Sequence, residues 1–155
     1  MKQTRLILVG GFLGAGKTTL LWETAVRLMN KGLRVGLITN DQVPELVDSE
    51  LLKLSDLRVA EVSGSCFCCN FNGFTDAIKA IRAEASADVI IAEPVGSCAD
   101  LSATIMQPLK QYWNAELKIS PLTVLADPNR LVSILNGGNG GLHPDAAYIY
   151  KKQLE

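Results

Sequence analysis

Residues 6–20 read LILVGGFLGAGKTTL, an apolar run that leads into the pattern G-x4-G-K-[ST] at residues 11–18. Glycines in such a turn adopt positive φ angles and leave backbone N–H groups facing the phosphate oxygens of a ligand. The helix that follows adds the positive end of its dipole. Lys17, at the surface of the loop, is expected to reach the β- and γ-phosphates, and the Thr18 hydroxyl to bind Mg²⁺. The stretch therefore predicts a nucleoside triphosphate site.

Length and composition indicate one ordinary globular domain. The chain has 155 residues, of which 48% are hydrophobic and 20% charged, and a net charge of −1. That charge argues against a broad electrostatic surface for nucleic acid or anionic lipid. No apolar run reaches 18 residues and no signal peptide precedes the first strand, so a cytoplasmic protein is expected, with neither nucleic acid nor membrane as a partner. Four cysteines in a reducing compartment indicate metal binding or redox chemistry rather than disulfides.

Short apolar runs alternate with segments of helical period, which is typical of βαβ units. The predicted fold is α/β, a P-loop NTPase three-layer sandwich with a mainly parallel sheet, and ligands are expected at the carboxyl ends of its strands. Strands are predicted near residues 5–10, 33–39, 57–62, 88–93 and 119–126, and helices near 17–31, 72–86, 99–113, 127–136 and 144–155. The glycine-rich stretch 136–141 is predicted to be a flexible connecting loop.

A carboxylate follows the apolar strand VIIA at Glu93, within the segment EPVG at 93–96. This placement is typical of a Walker B residue, with Glu in place of Asp, acting on Mg²⁺ through water; a helix-capping or surface role is the alternative. Gly96 is expected to bring its backbone N–H to the γ-phosphate, as in a switch loop. Asp41, after the second strand, is a candidate for the Mg²⁺ water shell or for positioning the attacking water, and equally for an N-cap. The predicted catalytic residues are Lys17, Glu93 and Asp41, and the predicted phosphate-binding residues are Gly11, Gly14, Ala15, Gly16, Lys17, Thr18, Thr19 and Gly96.

Three thiols lie within four residues in the segment CFCC, at Cys66, Cys68 and Cys69. Thiolates select Zn²⁺ or Cu⁺, and a tetrahedral ion would take a fourth ligand from elsewhere. Three ligands and an open position suit a site that hands its metal on; redox sensing and buried structural thiols are the alternatives. Cys98 is the candidate fourth ligand, and a small buried residue is its simpler interpretation. His143 is interpreted as an exposed turn residue rather than a ligand.

The three motifs together, GGFLGAGKTTL, CxCC at 66–69 and EPVG at 93–96, resemble the CobW/HypB/UreG group of P-loop GTPases, most closely its CobW-like branch. The resemblance covers nearly the whole chain, and CxCC between the other two motifs is its specific part. It implies a cytoplasmic, GTP-hydrolysing metallochaperone or insertase that loads zinc, cobalt or nickel, or a metal cofactor, into a client protein. GTP, Mg²⁺ and Zn²⁺ or Co²⁺ are the implied ligands.

The chain departs from that family in three places. Ser65 stands before CxCC where the family usually has glycine, and QVPELVD follows TND, which leaves the client open. The family also reads guanine through an [NST]-K-x-D motif after a later strand, and this motif does not occur here. We therefore expect residues 1–155 to be the N-terminal part of a longer GTPase domain, whose truncated sheet would expose an edge or pair with another copy as a homodimer.

The sequence thus predicts a GTP-driven metal chaperone. One alternative is a metal-binding or redox-sensing module in which the nucleotide is only a conformational ligand. A second is an ATP-dependent protein of the same fold, because the base-reading motif is missing. The residues themselves do not identify the metal, the client protein or the oligomeric state.

Overall fold

A computed structural model of the chain describes residues 2–40 and 57–154, which form a parallel sheet covered by helices. Neighbouring strands follow the order β3-β2-β4-β1-β5, and β6 also pairs with β1. The strands are β1 (Thr4–Gly11), β2 (Val35–Thr39), β3 (Leu57–Glu61), β4 (Val89–Glu93), β5 (Leu117–Ile119) and β6 (Thr123–Leu125). The helices are α1 (Lys17–Met29), α2 (Phe71–Ala85), α3 (Gln107–Tyr112), α4 (Pro128–Leu135) and α5 (Pro144–Leu154).

Both faces of the sheet are buried, which confirms the predicted α/β fold. On one face, Leu21 and Ala25 of α1 pack with Leu37 and Ile91 from the central strands. On the other face, the apolar sides of α2 and α3 cover the sheet. Because strands β2 and β4 are shielded on both sides, their sequences VGLIT and VIIAE are almost continuously apolar rather than alternating. Among the described residues, no helix is long and apolar enough to cross a membrane.

The single strand predicted over 119–126 is wrong: the structure has two short strands there. Strand β5 pairs with residues 4–6 of β1, and β6 pairs with residues 9–11. Pro121 lies between them, and it has no backbone N–H to donate to the ladder. The interruption shifts β6 onto the end of β1 that leads into residues 11–18, the phosphate loop.

The helix predicted over 99–113 starts later and is not uniform. A π-helical stretch over Ser102–Met106 precedes α3. Pro108 explains the irregularity, because it cannot donate to the preceding turn and its ring crowds the carbonyl four residues earlier. The other helices lie within three residues of their predicted bounds, and the glycine-rich stretch 136–141 is a loop between α4 and α5, as predicted.

Asp88 lies at the amino end of β4, on the side of the sheet opposite the phosphate loop. Its carboxylate accepts hydrogen bonds from the Arg34 backbone N–H at 3.0 Å and from the Arg34 guanidinium at 3.1 and 3.2 Å. Lys2 Nζ lies 2.7 Å from it. These partners, Arg34 first, hold the pKa of Asp88 well below its usual range. The result is an ionised anchor that joins the amino ends of the central strands.

Candidate functional site

The loop between β1 and α1 has the backbone that its glycines predict. Gly14 and Gly16 have φ angles of +77° and +88°, in the left-handed region that favours glycine. The Ala15 N–H donates to the Phe12 carbonyl at 3.1 Å and closes the turn. The loop borders a cavity of about 290 Å³ lined by Leu13, Gly14, Gly16, Lys17, Thr18, Thr19, Glu93 and Gly96. Most of the predicted phosphate-binding residues and Glu93 are therefore brought to one place.

Gly11 is positioned differently from the other glycines of the motif. It ends β1 with a φ angle of +134°, directly beside the backbone of Leu125 in β6. A Cβ atom at this position would collide with the Leu125 carbonyl oxygen. Gly11 therefore permits the close pairing of β1 with β6, and its contact with phosphate stays a prediction.

Lys17 is buried, with 5% of its surface exposed, so the expectation that it lies at the loop surface is wrong. Its Nζ donates to the Phe12 carbonyl at 3.3 Å and lies 3.9 Å from Glu93 Oε1. The Thr18 hydroxyl donates to the Glu93 carboxylate, with Oγ1 3.0 and 3.1 Å from its two oxygens. A hydroxyl and a carboxylate that line this cavity are oxygen ligands of the kind that Mg²⁺ prefers. This donor set fits a magnesium ion bound with a triphosphate.

Gly96 forms the opposite wall of the cavity and is buried. A Cβ atom there would lie 3.0 Å from the Leu13 backbone nitrogen and 3.2 Å from Lys17 Nζ. The loop after β4 thus approaches the phosphate loop so closely that only glycine fits without displacement. Leu13 is not among the individually predicted residues; its side chain is 73% exposed and only its backbone faces Gly96, so its residue type does not indicate this contact.

The three thiols of the CFCC segment lie together after β3. Their sulfur atoms are all within 4.8 Å of one another, with Cys66 and Cys68 2.9 Å apart and Cys68 and Cys69 4.0 Å apart. Sulfur ligands of a tetrahedral Zn²⁺, at bonds of about 2.3 Å, lie about 3.8 Å apart. The spacing is therefore within about 1 Å of that of a three-thiolate metal site.

The thiols differ in acidity because they share protons. A hydrogen bond from Cys68 lowers the pKa of Cys66 to about 7. The same hydrogen bond raises the pKa of Cys68, and bonds to Cys66 and Cys68 raise the pKa of Cys69 to about 11. The arrangement favours one thiolate near neutral pH, and thiolates are the form that binds metal.

A ring contact with α2 and hydrogen bonds from the residue after β2 anchor the thiol segment. Phe67, between the first two thiols, is buried and stacks on Phe74 of α2 with ring centroids 4.3 Å apart. The Asn40 side chain, after β2, donates through Nδ2 to the carbonyls of Val62 at 3.0 Å and Ser65 at 2.8 Å. The bonds from Asn40 hold the residues before Cys66 at the ends of β2 and β3.

Cys98, two residues after Gly96, is buried, with 8% of its surface exposed, and belongs to the apolar cluster against which Cys66 and Cys68 pack. Burial, with the charges of Cys66 and Cys68, raises its pKa to about 12. The Cys98 thiol therefore lies near Cys66 and Cys68 but does not belong to the group of three closely spaced sulfurs. His143 is exposed in the loop before α5, as predicted. Asp41 lies outside the described residues.

Two site contacts have no recognisable signal in the sequence. Asn40 was visible only as the neighbour of Asp41, and its bonds to the thiol segment depend on the pairing of β2 with β3. Gln153 of α5 donates to two carbonyls of the loop after β4, more than 50 residues earlier in the chain. A single polar residue on a helix cannot be told from a solvated one until the helix is packed.

A family model described as CobW/HypB/UreG, nucleotide-binding domain, matches residues 5–153. The chain is also similar to zinc-regulated GTPase metalloprotein activator 1 of Dictyostelium discoideum, with 34% identity over 74 residues. That similarity covers 39% of this chain and 15% of the relative, so the chain spans a small part of the relative's length.

Two solved structures resemble the chain. The signal recognition particle receptor FtsY from Elizabethkingia anophelis has a TM-score of 0.51 and 17% identity, covering 100% of this chain and 57% of that one. A LAO/AO transport system kinase has a TM-score of 0.47 and 24% identity, covering 67% and 31%. The likeness to FtsY supports the fold alone.

Proposed function

We propose, because this chain belongs to the CobW/HypB/UreG family of nucleotide-binding domains, that it hydrolyses GTP to drive the delivery of a transition metal to a client protein. Zinc or cobalt is the favoured metal, and the cytoplasm is the expected location. The similarity to a zinc-regulated GTPase metalloprotein activator supports this proposal.

The proposal rests on one observation: the loop after β4 borders both the thiols and the cavity of about 290 Å³ beside the phosphate loop, which we call the phosphate cavity. Gly96 faces Leu13 and Lys17, whereas Cys98, two residues on, packs with the cluster that supports Cys66 and Cys68. A γ-phosphate contact at Gly96 would therefore shift the surroundings of the metal ligands. A binding site for storage alone needs no such link.

Each residue of the phosphate cavity has a chemical role in this proposal. Lys17 would bind oxygens of the β- and γ-phosphates, and the Gly96 N–H would donate to the γ-phosphate. Thr18 and Glu93 would hold Mg²⁺, the first directly and the second through water. The bound metal ion would neutralise phosphate charge as the bond to the γ-phosphate breaks.

The thiols are proposed to carry the metal as cargo. Cys66, Cys68 and Cys69 would supply three thiolates, and Cys98 is the candidate fourth ligand within the chain. A cluster that includes the exposed Cys69 and lies at the surface leaves a route for a ligand from the client. Such a route suits exchange of metal between two proteins, because the incoming ligand can bind before an outgoing one leaves.

The test is a reciprocal titration on the full-length protein. Zn²⁺ and Co²⁺ affinities are measured with no nucleotide, with GDP and with a non-hydrolysable GTP analogue, in wild type and in the Cys66, Cys68, Cys69 triple serine variant. Linkage requires GTP to change metal affinity by the same factor as metal changes GTP affinity, about 5- to 150-fold for typical coupling. The variant should keep GDP binding and its melting temperature but lose this factor.

Other outcomes select the alternatives. Metal affinity that is identical in all nucleotide states would leave a metal-binding or redox-sensing module. Equal turnover of ATP and GTP by the full-length protein would select the ATP-dependent alternative.

A further inference from the structure

The side chain of Gln153, near the end of α5, reaches across to the loop that follows β4. Its Nε2 lies 2.9 Å from the Gly96 carbonyl oxygen and 2.9 Å from the Cys98 carbonyl oxygen. Two carbonyls can be satisfied only by a donor, and the amide NH₂ carries two hydrogens. The chemistry of the partners therefore sets the orientation of this amide.

The two carbonyls belong to the two ends of the segment that joins the proposed sites. Gly96 lies against the Leu13 backbone and the Lys17 ammonium group. Cys98 packs into the cluster that supports the thiols. One side chain thus holds both the residue that faces the phosphate cavity and the residue beside the metal ligands.

Helix α5 is itself attached to the phosphate loop. Tyr150, one turn before Gln153, is buried, and its ring centroid lies 5.7 Å from that of Phe12. The Tyr150 hydroxyl also donates to the Asp127 carbonyl at 3.1 Å. Because Phe12 is in the turn that precedes Lys17, α5 connects the start of the phosphate loop to the loop after β4.

The Cys98 end of the segment held by Gln153 borders a cavity. A cavity of about 490 Å³ separates part of α5 from the residues after Cys98, and its walls include Gly10, Leu101, Leu122 and Tyr148. Gln153 and Cys98 also line this cavity. On the side of Cys98 that faces this cavity, the two hydrogen bonds of Gln153 restrain the segment in place of close packing.

We propose that Gln153 is a positioning residue that transmits the γ-phosphate contact at Gly96 to the thiol site through Cys98. This inference rests on the proposed function. Its two bonds keep Gly96 and Cys98 in a fixed relation, so a shift of one carbonyl on binding GTP moves the other. Without them, the γ-phosphate contact and the metal site would respond separately.

The experiment compares Gln153→Leu, which removes the donor at similar volume, with Gln153→Asn, which retains the amide on a shorter side chain. Gln3→Leu is the matched control, because Gln3 Nε2 also donates to a carbonyl, that of Asn114, at an exposed position. In the full-length protein, kcat, KM, GDP affinity, GTP-analogue affinity and Zn²⁺ affinity in each nucleotide state are measured.

For Gln153→Leu we expect GDP affinity and nucleotide-free Zn²⁺ affinity within about twofold of wild type. The preference for the GTP analogue over GDP should fall about tenfold, which corresponds to about 1.4 kcal/mol. The dependence of Zn²⁺ affinity on nucleotide should be lost. Gln153→Asn should give the same pattern to a smaller extent, and Gln3→Leu should match wild type.

Two results overturn the inference. One is a Gln153→Leu variant that retains both the GTP preference and the metal linkage of wild type. The other is an equal loss of GDP and GTP-analogue affinity in both Gln153 variants, which is the mark of a purely structural role. If wild type itself shows no effect of GTP on metal affinity, the proposed function fails as well, so the two failures are distinguishable.

Discussion

Thr18 and Glu93 lie 75 residues apart in the chain, yet the Thr18 hydroxyl donates to the Glu93 carboxylate with oxygen separations of 3.0 and 3.1 Å. Thr18 is the second residue of α1, and Glu93 is the last residue of β4. Their contact arises because β1 and β4 are parallel neighbours whose carboxyl ends meet at one edge of the sheet. A proposed Mg²⁺ site is thereby assembled from two distant segments.

Glu93→Gln tests this site, because the amide keeps the size and an acceptor for Thr18 but removes the charge. We expect the Mg²⁺ concentration required for half-maximal GTP turnover to rise about 10- to 100-fold. The measurement is turnover against Mg²⁺ concentration. Glu61→Gln is the control, since Glu61 ends the next strand but one and is exposed. An unchanged Mg²⁺ requirement in Glu93→Gln would remove Glu93 from the metal site.

Lys17→Ala should reduce triphosphate affinity or turnover about 100- to 1,000-fold, because the alanine offers no cation to the phosphates. The fold should persist, because the Glu93 carboxylate keeps the Thr18 hydroxyl as a donor when Lys17 is replaced, and a cooperative thermal unfolding transition checks this. Lys31→Ala, at an exposed lysine after α1, is the control. Wild-type turnover in Lys17→Ala would contradict the assignment of the phosphate site.

Gly96→Ala should lower the affinity for a GTP analogue much more than the affinity for GDP. The added Cβ would lie 3.0 Å from the Leu13 nitrogen and 3.2 Å from Lys17 Nζ, so the loop must withdraw from the phosphate loop. We expect at least about a tenfold loss of GTP-analogue affinity with GDP affinity almost unchanged, as measured by calorimetric titration. Ser97→Ala, at the exposed next residue, should behave as wild type. Equal weakening of both nucleotides would mean that Gly96 does not face the γ-phosphate.

Asp88→Asn should destabilise the fold without affecting nucleotide binding. The folded-state pKa of Asp88 is depressed, first by its hydrogen bonds to Arg34, so its contribution is complete above the unfolded-state value of about 3.9. That contribution disappears as pH falls from there towards the lowered pKa of the folded state.

At pH 7 we expect a loss of about 1–3 kcal/mol in the free energy of unfolding for Asp88→Asn, measured by urea denaturation. The difference from wild type should shrink steadily below about pH 4. Asp76→Asn, which removes an exposed pair with Lys79, should change stability by no more than about 0.5 kcal/mol. If the stability difference between wild type and Asp88→Asn grows as pH falls, the pKa of Asp88 is not lowered in the folded state.

The phosphate loop and the thiol segment could be predicted because each is a contiguous pattern in the sequence. Residues 14–19 are close in space because they are close in the chain, and CFCC confines three sulfurs to one turn. The position of Glu93 was predictable for another reason, since a carboxylate that directly follows a buried parallel strand emerges at the ligand-binding edge.

The remaining contacts depend on how distant elements pack. Asn40 and Gln153 each donate two hydrogen bonds to carbonyls of another segment, and neither residue type indicates a partner in advance. The burial of Lys17 was likewise missed, because it results from Phe12 and Glu93 enclosing the ammonium group. Pro121 does signal the break between β5 and β6, but apolar residues on both sides suggested one strand.

The enclosure of Lys17 bears on the energetics of nucleotide capture. A lysine in solvent must lose its hydration and fix four side-chain torsions before it can bind a phosphate. Here both costs are met when the chain folds, since the ammonium group is already withdrawn from water and directed by Phe12 and Glu93. In the proposed site a phosphate oxygen would only have to replace these protein acceptors, so the loop would meet its ligand in a preorganised form and less affinity would be lost to ordering the site.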